Sequence, residues 1–417
     1  MSYLRNVLPV KKRYALSWYL TGALAARTGD EMSGPALLLA AYAVTGSAAR
    51  ASVLLAAATV AAAVGGPVLG VLLDRAERPG RLLAAALALH ALGLTAVLLT
   101  LDRLPFPVTL LLAVLTGLPG PALSAGWTTR MPTTTPRAAA LDAMTFDAAS
   151  LTGPSLAALV TRLSNAQAAV ATAVILICAA VPAALRSAGR GAGRSSEAGV
   201  GRAASVAPPG AERGPGEGSL RARVLAGARY VLARPVLAAV TVGSVLSAVG
   251  QGALTACVPL LGERALGGAA DGALLSALAA GSALAANAVH ARRAPDVDLV
   301  RVMRAGTLLQ AAGAALAAAA GPAAAWDGGA AALVVAAALT IGAGEGPQLA
   351  GLFAVRHRET PERLRGQVFT TGASAKITGF ALGAAAGGAI GVRSLTGALL
   401  VAAALHLVAA RVTAGRA

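Results

Sequence analysis

About twenty consecutive apolar residues carry a helix through a bilayer, and this chain is assembled from such runs with short polar breaks between them. Broken at charge clusters and at Pro and Gly, the sequence divides into twelve, at 15–44, 51–73, 81–101, 106–128, 138–161, 167–185, 236–260, 272–290, 299–320, 329–353, 366–390 and 394–411. Composition leaves little alternative. Only 13% of the residues are charged, where soluble domains carry about 25%. Polar side chains are too few to cover a globule of this size, so lipid must be part of the solvent. The expected fold is an all-α integral membrane protein of twelve transmembrane helices.

Charge is distributed with a side. Of the 35 Lys and Arg, 28 fall in segments on one side of the twelve-span arrangement, five in the segments on the other (Arg50, Arg103, Arg162, Arg264, Arg393), and two, Arg27 and Lys376, within spans. The positive-inside rule makes the basic side cytoplasmic, so both termini are expected in the cytoplasm and the protein in the plasma (inner) membrane. A net charge of +17 could otherwise suggest nucleic acid, but aromatics are 3% and offer few stacking platforms. No nucleic-acid partner is expected. The start of the chain imitates a secretory signal, with Lys11, Lys12 and Arg13 ahead of an apolar stretch and Ala23-Leu24-Ala25. The apolar pattern runs on to about Val44, and removing it would leave an odd number of spans, so it reads as a retained first span.

The segment 187–219 has no periodic apolar face and is rich in Gly, Ala, Ser, Pro and Arg. It reads as a disordered cytoplasmic tether. The chain therefore divides into a six-helix bundle at 1–186, a linker at 187–222 and a second six-helix bundle at 223–417. The halves are related. At an offset of 226 residues, RAERPGRLL (75–83) falls on RVMRAGTLL (301–309), Gly120-Pro121 on Gly346-Pro347, Arg130 on Arg356, Arg137 on Arg363 and Thr152-Gly153 on Thr378-Gly379. One offset that holds across two loops and two spans indicates a parallel six-plus-six duplication, the arrangement of two pseudo-symmetric bundles.

Three stretches carry a family resemblance. Gly70-x-x-x-Asp74-Arg75-x-x-Arg78, between spans two and three, resembles the signature loop of the major facilitator superfamily. AARTGDEMSGPALLLAAYAVTGS (25–47) and PERLRGQV (361–368) look like its drug and siderophore exporter branch. Pro79 and Gly80 depart from the basic residues with which that loop often continues. The resemblance implies a cytoplasmic gate. Gly70, with Gly66, gives small-xxx-small spacing for a close helix approach. Asp74 is placed to accept hydrogen bonds from a facing helix N-terminus, that of span eleven by analogy, and Arg75 and Arg78 to pair with carboxylates on the inner surface.

Ionisable residues within spans are costly and mark function. Arg27 lies about 18 Å into span one, with Asp30 and Glu31 at i+3 and i+4 on the same face. One arginine cannot satisfy two carboxylates in a low dielectric, so one acid is expected to carry a proton. In the second half, Glu345 and Lys376 lie at matching depths in neighbouring spans and predict an ion pair or a shared proton. Their counterparts at the 226 offset are Pro119 and Ser150, so they were specified apart from the repeat. Asp30, Glu31 and Glu345 are the candidate proton-coupling residues, and Arg27 and Lys376 their charge partners. Gln251, Gln348 and Asp147 are candidates to line a central cavity. His90, mid-span in the third helix, reads as structural.

The sequence has no Gly-x-x-x-x-Gly-Lys-[Ser/Thr] loop, so ATP is not expected to drive it directly. It has no nucleophile elbow. Cys178 and Cys257 each sit in apolar runs without metal-ligand spacing. No enzyme activity, cofactor or metal is expected. The expected activity is proton-coupled efflux of small amphipathic or hydrophobic molecules by a monomer, with import on the same fold and a non-transporting scaffold as alternatives.

Overall fold

The computed structural model describes residues 10–46, 48–131, 135–186, 220–267, 272–293, 298–320 and 329–414. These residues form α1 (Val10–Thr45), α2 (Ala48–Arg75), α3 (Pro79–Thr100), α4 (Phe106–Gly117), α5 (Gly120–Thr128), α6 (Pro136–Leu163), α7 (Ala166–Arg186) and α8 (Leu220–Ala233). They continue with α9 (Pro235–Leu266), α10 (Gly272–Arg293), α11 (Leu299–Ala319), α12 (Gly329–Glu359), α13 (Arg365–Arg393) and α14 (Leu395–Ala414). The expected linker 187–222 lies outside the described residues up to position 219.

The chain is a multi-pass membrane protein of twelve transmembrane helices in two pseudo-symmetric bundles. α4 and α5 make one span, interrupted where Pro119 removes a backbone donor. Ten of the twelve long segments are apolar enough to cross a bilayer by composition. The other two, α1 and α6, are the ones that hold Arg27, Asp30 and Glu31, and Asp142 and Asp147.

Local chemistry sets many of the ends. Pro79 and Pro235 stand at first helical positions, where the missing N–H costs nothing. Asp298 caps α11, its carboxylate accepting from Val300 N at 3.0 Å. α9 stops at Gly267, whose φ of +94° is the left-handed conformation of a helix C-terminus.

α8 was not among the expected helices, because a fourteen-residue segment with arginines has no membrane-length apolar run. Its Tyr230 hydroxyl donates to the Glu359 carbonyl at 3.0 Å, and the carbonyl of its Val224 accepts from Gln367 Nε2 at 3.1 Å. α12 runs six residues past the expected end of span ten at 353 and takes Arg356 and His357 into the helix. Both are buried.

In the first half α1 packs on α6 and α7, α3 on α7, and α2 on α4; in the second α9 packs on α13 and α14, and α12 on α10 and α11. The halves meet through α2 with α13 and through α6 with α10 and α12. The end of the molecule where α2 turns into α3, rich in Arg, is called the basic end. There the first-half core continues into Leu352, Phe353, Val355, Val368 and Phe369 of the second half. At the far end the second half has a separate core, built around Leu261, Leu275, Val334 and Leu399. The two bundles are thus joined at the basic end and have separate cores at the other.

Candidate functional site between the two halves

Helix α13 begins with Arg365-Gly366-Gln367, and its first N–H groups have no partner within the helix. Asp74, one residue before the end of α2, supplies one. Its Oδ1 accepts from Gly366 N at 2.5 Å and its Oδ2 from Gln367 N at 2.7 Å. A carboxylate on the positive end of a helix dipole is favoured electrostatically as well. The sequence permits the approach through glycine. A Cβ on Gly366 would stand 2.6 Å from Asp74 Oδ1, and one on Gly70 would stand 2.5 Å from the Gln367 Cα. Two turns further along α13, Ser374 donates to the Ala62 carbonyl at 2.6 Å, and Gly66 leaves the room it needs. Arg75 and Arg78 are exposed, and Arg78 makes no ion pair among the described residues. Beside the latch an aromatic chain crosses the divide. Phe146 of α6 lies 5.3 Å from Phe353 of α12, which lies 6.0 Å from Phe369 of α13.

Arg27 does not pair with Asp30 and Glu31. Its Nη1 donates to Asp142 Oδ1 of α6 at 2.7 Å and to Thr145 Oγ1, and its Nη2 donates to Thr128 Oγ1 at 2.9 Å. Tyr19 and Thr128 donate to the same carboxylate at 2.6 and 2.7 Å, and the guanidinium lies 3.6 Å over the Phe146 ring. The physical reason is direction. Helical side chains lean toward the helix N-terminus, so a long arginine reaches back to the basic end and away from residues three and four positions ahead. Asp142, fully buried, is the partner that the expected triplet lacked. The spacing rule behind the triplet considers neighbours on one helix only, and the true pair is separated by 115 residues.

Released from Arg27, the two acids take other surroundings. Asp30 Oδ1 lies 3.8 Å from His90 Nε2 of α3. Glu31 is exposed and lies within Coulombic range of Asp30 and of Glu345 from the other half. α6 lies tight against this turn of α1, since a Cβ on Gly153 would stand 2.7 Å from Glu31 Cβ.

Across the divide, Gln251 Nε2 of α9 approaches Glu345 Oε2 at 3.5 Å. Lys376 is within Coulombic range of Glu345 and Arg356, and among the described residues no direct ion pair joins it to Glu345. The expected pair is thus a looser group in which an acid and a second cation both act on Lys376. Asp147 of α6 accepts from Asn287 Nδ2 of α10 at 2.5 Å, a third hydrogen-bonded point between the halves. Gln348 is a correction. Its carboxamide turns into the second bundle, donating to Thr307 Oγ1 at 2.7 Å and Ser247 Oγ at 3.0 Å and accepting from Gln310 at 2.9 Å.

Arg356, Asn287, Asp142 and His90 are members that spacing did not single out. Arg356 is 2% exposed, its Nε and Nη2 lack a hydrogen-bond partner among the described residues, and its guanidinium fills the space beside Gly372. The 226-residue repeat had marked it, opposite Arg130, as a loop cation.

Gathered together, the residues form two kinds of contact. Hydrogen bonds and aromatic packing join the halves at the basic end, and a group of acids with one lysine lies between them at mid-depth. Two helical bundles closed on one side of a membrane around such a group make a secondary transporter. The sequence profile of the Major Facilitator Superfamily matches residues 19–293, and the chain belongs to that superfamily. No curated protein matches the sequence.

Solved structures share the fold at low identity. A bacterial homologue of the iron transporter ferroportin, in an outward-facing state, is 15% identical over 96% of this chain and 98% of its own, with a TM-score of 0.73. The human organic anion transporter MFSD10 (TETRAN) is 13% identical over 97% of this chain and 100% of its own, with a TM-score of 0.68. The proton:xylose symporter XylE, bound to 6-bromo-6-deoxy-D-glucose, is 13% identical over 95% of this chain and 94% of its own, with a TM-score of 0.64.

Proposed function

We propose that this protein is a proton-coupled exporter of small amphipathic or hydrophobic molecules, of the drug and siderophore type, working by alternating access as a monomer in the plasma membrane. The basic end faces the cytoplasm, as the 28 of 35 Lys and Arg on that side argue. Residues 1–186 and 223–417 are the two moving bodies, tied by 187–222.

The observation that carries the reading is the group at mid-depth. Glu31 lies within Coulombic range of both Asp30 and Glu345, and none of the three has a direct ion pair with Lys or Arg among the described residues. Carboxylates so placed cannot all be ionised together in a low dielectric, so protons must enter and leave as the surroundings change. Asp74 on the α13 N-terminus holds the cytoplasmic side closed, and Glu345 with Lys376 supplies the second-half charge that senses occupancy.

The test is a growth-inhibition panel in an efflux-deficient bacterial host, comparing vector, wild type, Asp74→Asn and Glu345→Gln at matched membrane expression. Wild type is expected to protect against some compounds and both variants to lose the protection. Protection that survives Glu345→Gln would confine coupling to α1. Increased sensitivity with wild type, and protection against nothing, would overturn export in favour of import.

A further inference from the structure

The geometry points to a proton-binding pair, Asp30 and His90, held inside the first half and separate from the contacts that join the halves. This rests on the proton-coupled reading and assigns a carrier residue to it.

His90 is 5% exposed and lies mid-way along α3. Its Nδ1 lies 2.8 Å from the Thr116 carbonyl oxygen. That carbonyl belongs to the last turn of α4, which ends at Gly117 ahead of Pro119 and so has carbonyls without intrahelical donors. The close approach is built in. Gly93, on the turn after His90, leaves room for Thr116, whose Oγ1 would stand 2.4 Å from a Cβ there.

A carbonyl can only accept, so Nδ1 carries a hydrogen whether the ring is neutral or charged. Only Nε2 is left to gain or lose a proton. Among the described residues it has no hydrogen-bond partner, and Asp30 Oδ1 stands 3.8 Å from it. With both groups unloaded the pair is a carboxylate facing an imidazole lone pair. One added proton turns this repulsive arrangement into an attractive one, as a carboxylic acid donating to Nε2 or as an imidazolium donating to Asp30. The Asp30 side chain is 30% exposed and the His90 side chain 7%, so the proton enters through Asp30.

Most neighbouring charges are committed elsewhere or lie at helix ends. α4 and α5 contain no titratable side chain. On α7 only Cys178, which is exposed, and Arg186 at the basic end are titratable. On α2 the ionisable residues are Arg50, near its start, and Asp74 and Arg75 at its end. On α6, Asp142 is taken by Arg27 and Asp147 bonds Asn287, while Arg137 and Arg162 lie near its two ends. Tyr19 on α1 donates to Asp142. Glu31, next in sequence, is an acid within Coulombic range of Asp30, and Glu345 is in turn within range of Glu31.

Asp30, His90 and Thr116 all belong to the first bundle, whereas Asp74–Gly366 and Asp147–Asn287 cross between bundles. A proton held by the pair can therefore travel with its bundle while the crossing contacts break.

The experiment is nitrogen-15 NMR of histidine-labelled full-length protein in nanodiscs across a pH series, with His90 assigned by its loss in His90→Gln. Nδ1 is expected to stay protonated throughout. Nε2 is expected to titrate in two coupled steps, because groups interacting by more than about one pK unit share their macroscopic titrations, and in Asp30→Asn in one. A ring protonated on Nε2 alone, or one unchanged titration in both proteins, would overturn the pair. This readout needs no transport substrate, so it stands or falls apart from the growth panel. With a compound that wild type exports, His90→Gln is expected to flatten the pH dependence of the rate at matched expression, and an unaltered pH profile would remove His90 from coupling.

Discussion

At the scale of single residues, the buried Arg27 centre shows what holds the first bundle together. One guanidinium and one carboxylate, exposed 1% and 0%, are wrapped by Tyr19, Thr128 and Thr145, the five residues lying on three helices. Removing one partner of such a pair leaves an uncompensated buried charge, a loss of about 3–5 kcal/mol, while replacing both by apolar residues is far less harmful. Asp142→Ala is therefore expected to lower the melting temperature of the purified protein sharply, and Arg27→Leu with Asp142→Leu to recover part of the loss. If Asp142→Ala melts like wild type, the centre does not stabilise the fold. The depth of Arg27 was legible in the sequence because hydropathy is local, but its partner was not. Which way a side chain leans, and which helix lies there, are properties of packing. Gln348 repeats the lesson. Its span placed it well, yet its rotation about the helix axis turned it to Ser247 and Thr307.

At the scale of elements, the α2–α13 crossing is the part that spacing described best. Gly66 and Gly70 are one turn apart and face Ser374, Thr370 and Gln367, since the four-residue spacing puts both on one stripe. The second stripe, Gly379, Gly383, Gly387 and Gly391, faces Val245, Val249, Ala253 and Cys257 of α9. It packs within one bundle and has no part in the gate. Valine at 70 would thrust its Cβ into the Gln367 backbone, so Gly70→Val is expected to push α13 away and open the basic end. In a background lacking Cys178 and Cys257, a thiol placed at Ser374, buried at 3%, should be labelled several-fold faster from that side in the Gly70→Val protein. Equal labelling in both would mean that this crossing does not hold the gate. Two elements escaped the hydropathy pattern for a shared reason. In α8 and in the last turns of α12 the arginines look like loop charges, although Arg356 is buried and Tyr230 of α8 is bonded to the end of α12.

At the scale of the whole molecule, the distribution of contacts decides how the bundles can move. Every side-chain hydrogen bond described between the halves is made by residues of the basic half or mid-depth: Asp74 with Gly366 and Gln367, Ser374 with Ala62, Asn287 with Asp147. The core follows the same division, continuous between halves at the basic end and separate at the far end. Two bodies joined on one side only can rock about that side's contacts. The contacts that join them there are three hydrogen-bonded points, one aromatic chain and the apolar side chains of the second half that extend the first-half core. If the cycle does require them to part, tying one point must stop it. With cysteines in place of Asp147 and Asn287, in the background lacking native cysteines, a short thiol-reactive cross-linker is expected to abolish export, and a reductant that cleaves it to restore the uncross-linked rate. Modification of either single cysteine provides the control for lost Asp147. Export at full rate through completely cross-linked protein would mean that substrate crosses without the basic end opening between α6 and α10, and the rocking of two rigid halves would have to be given up.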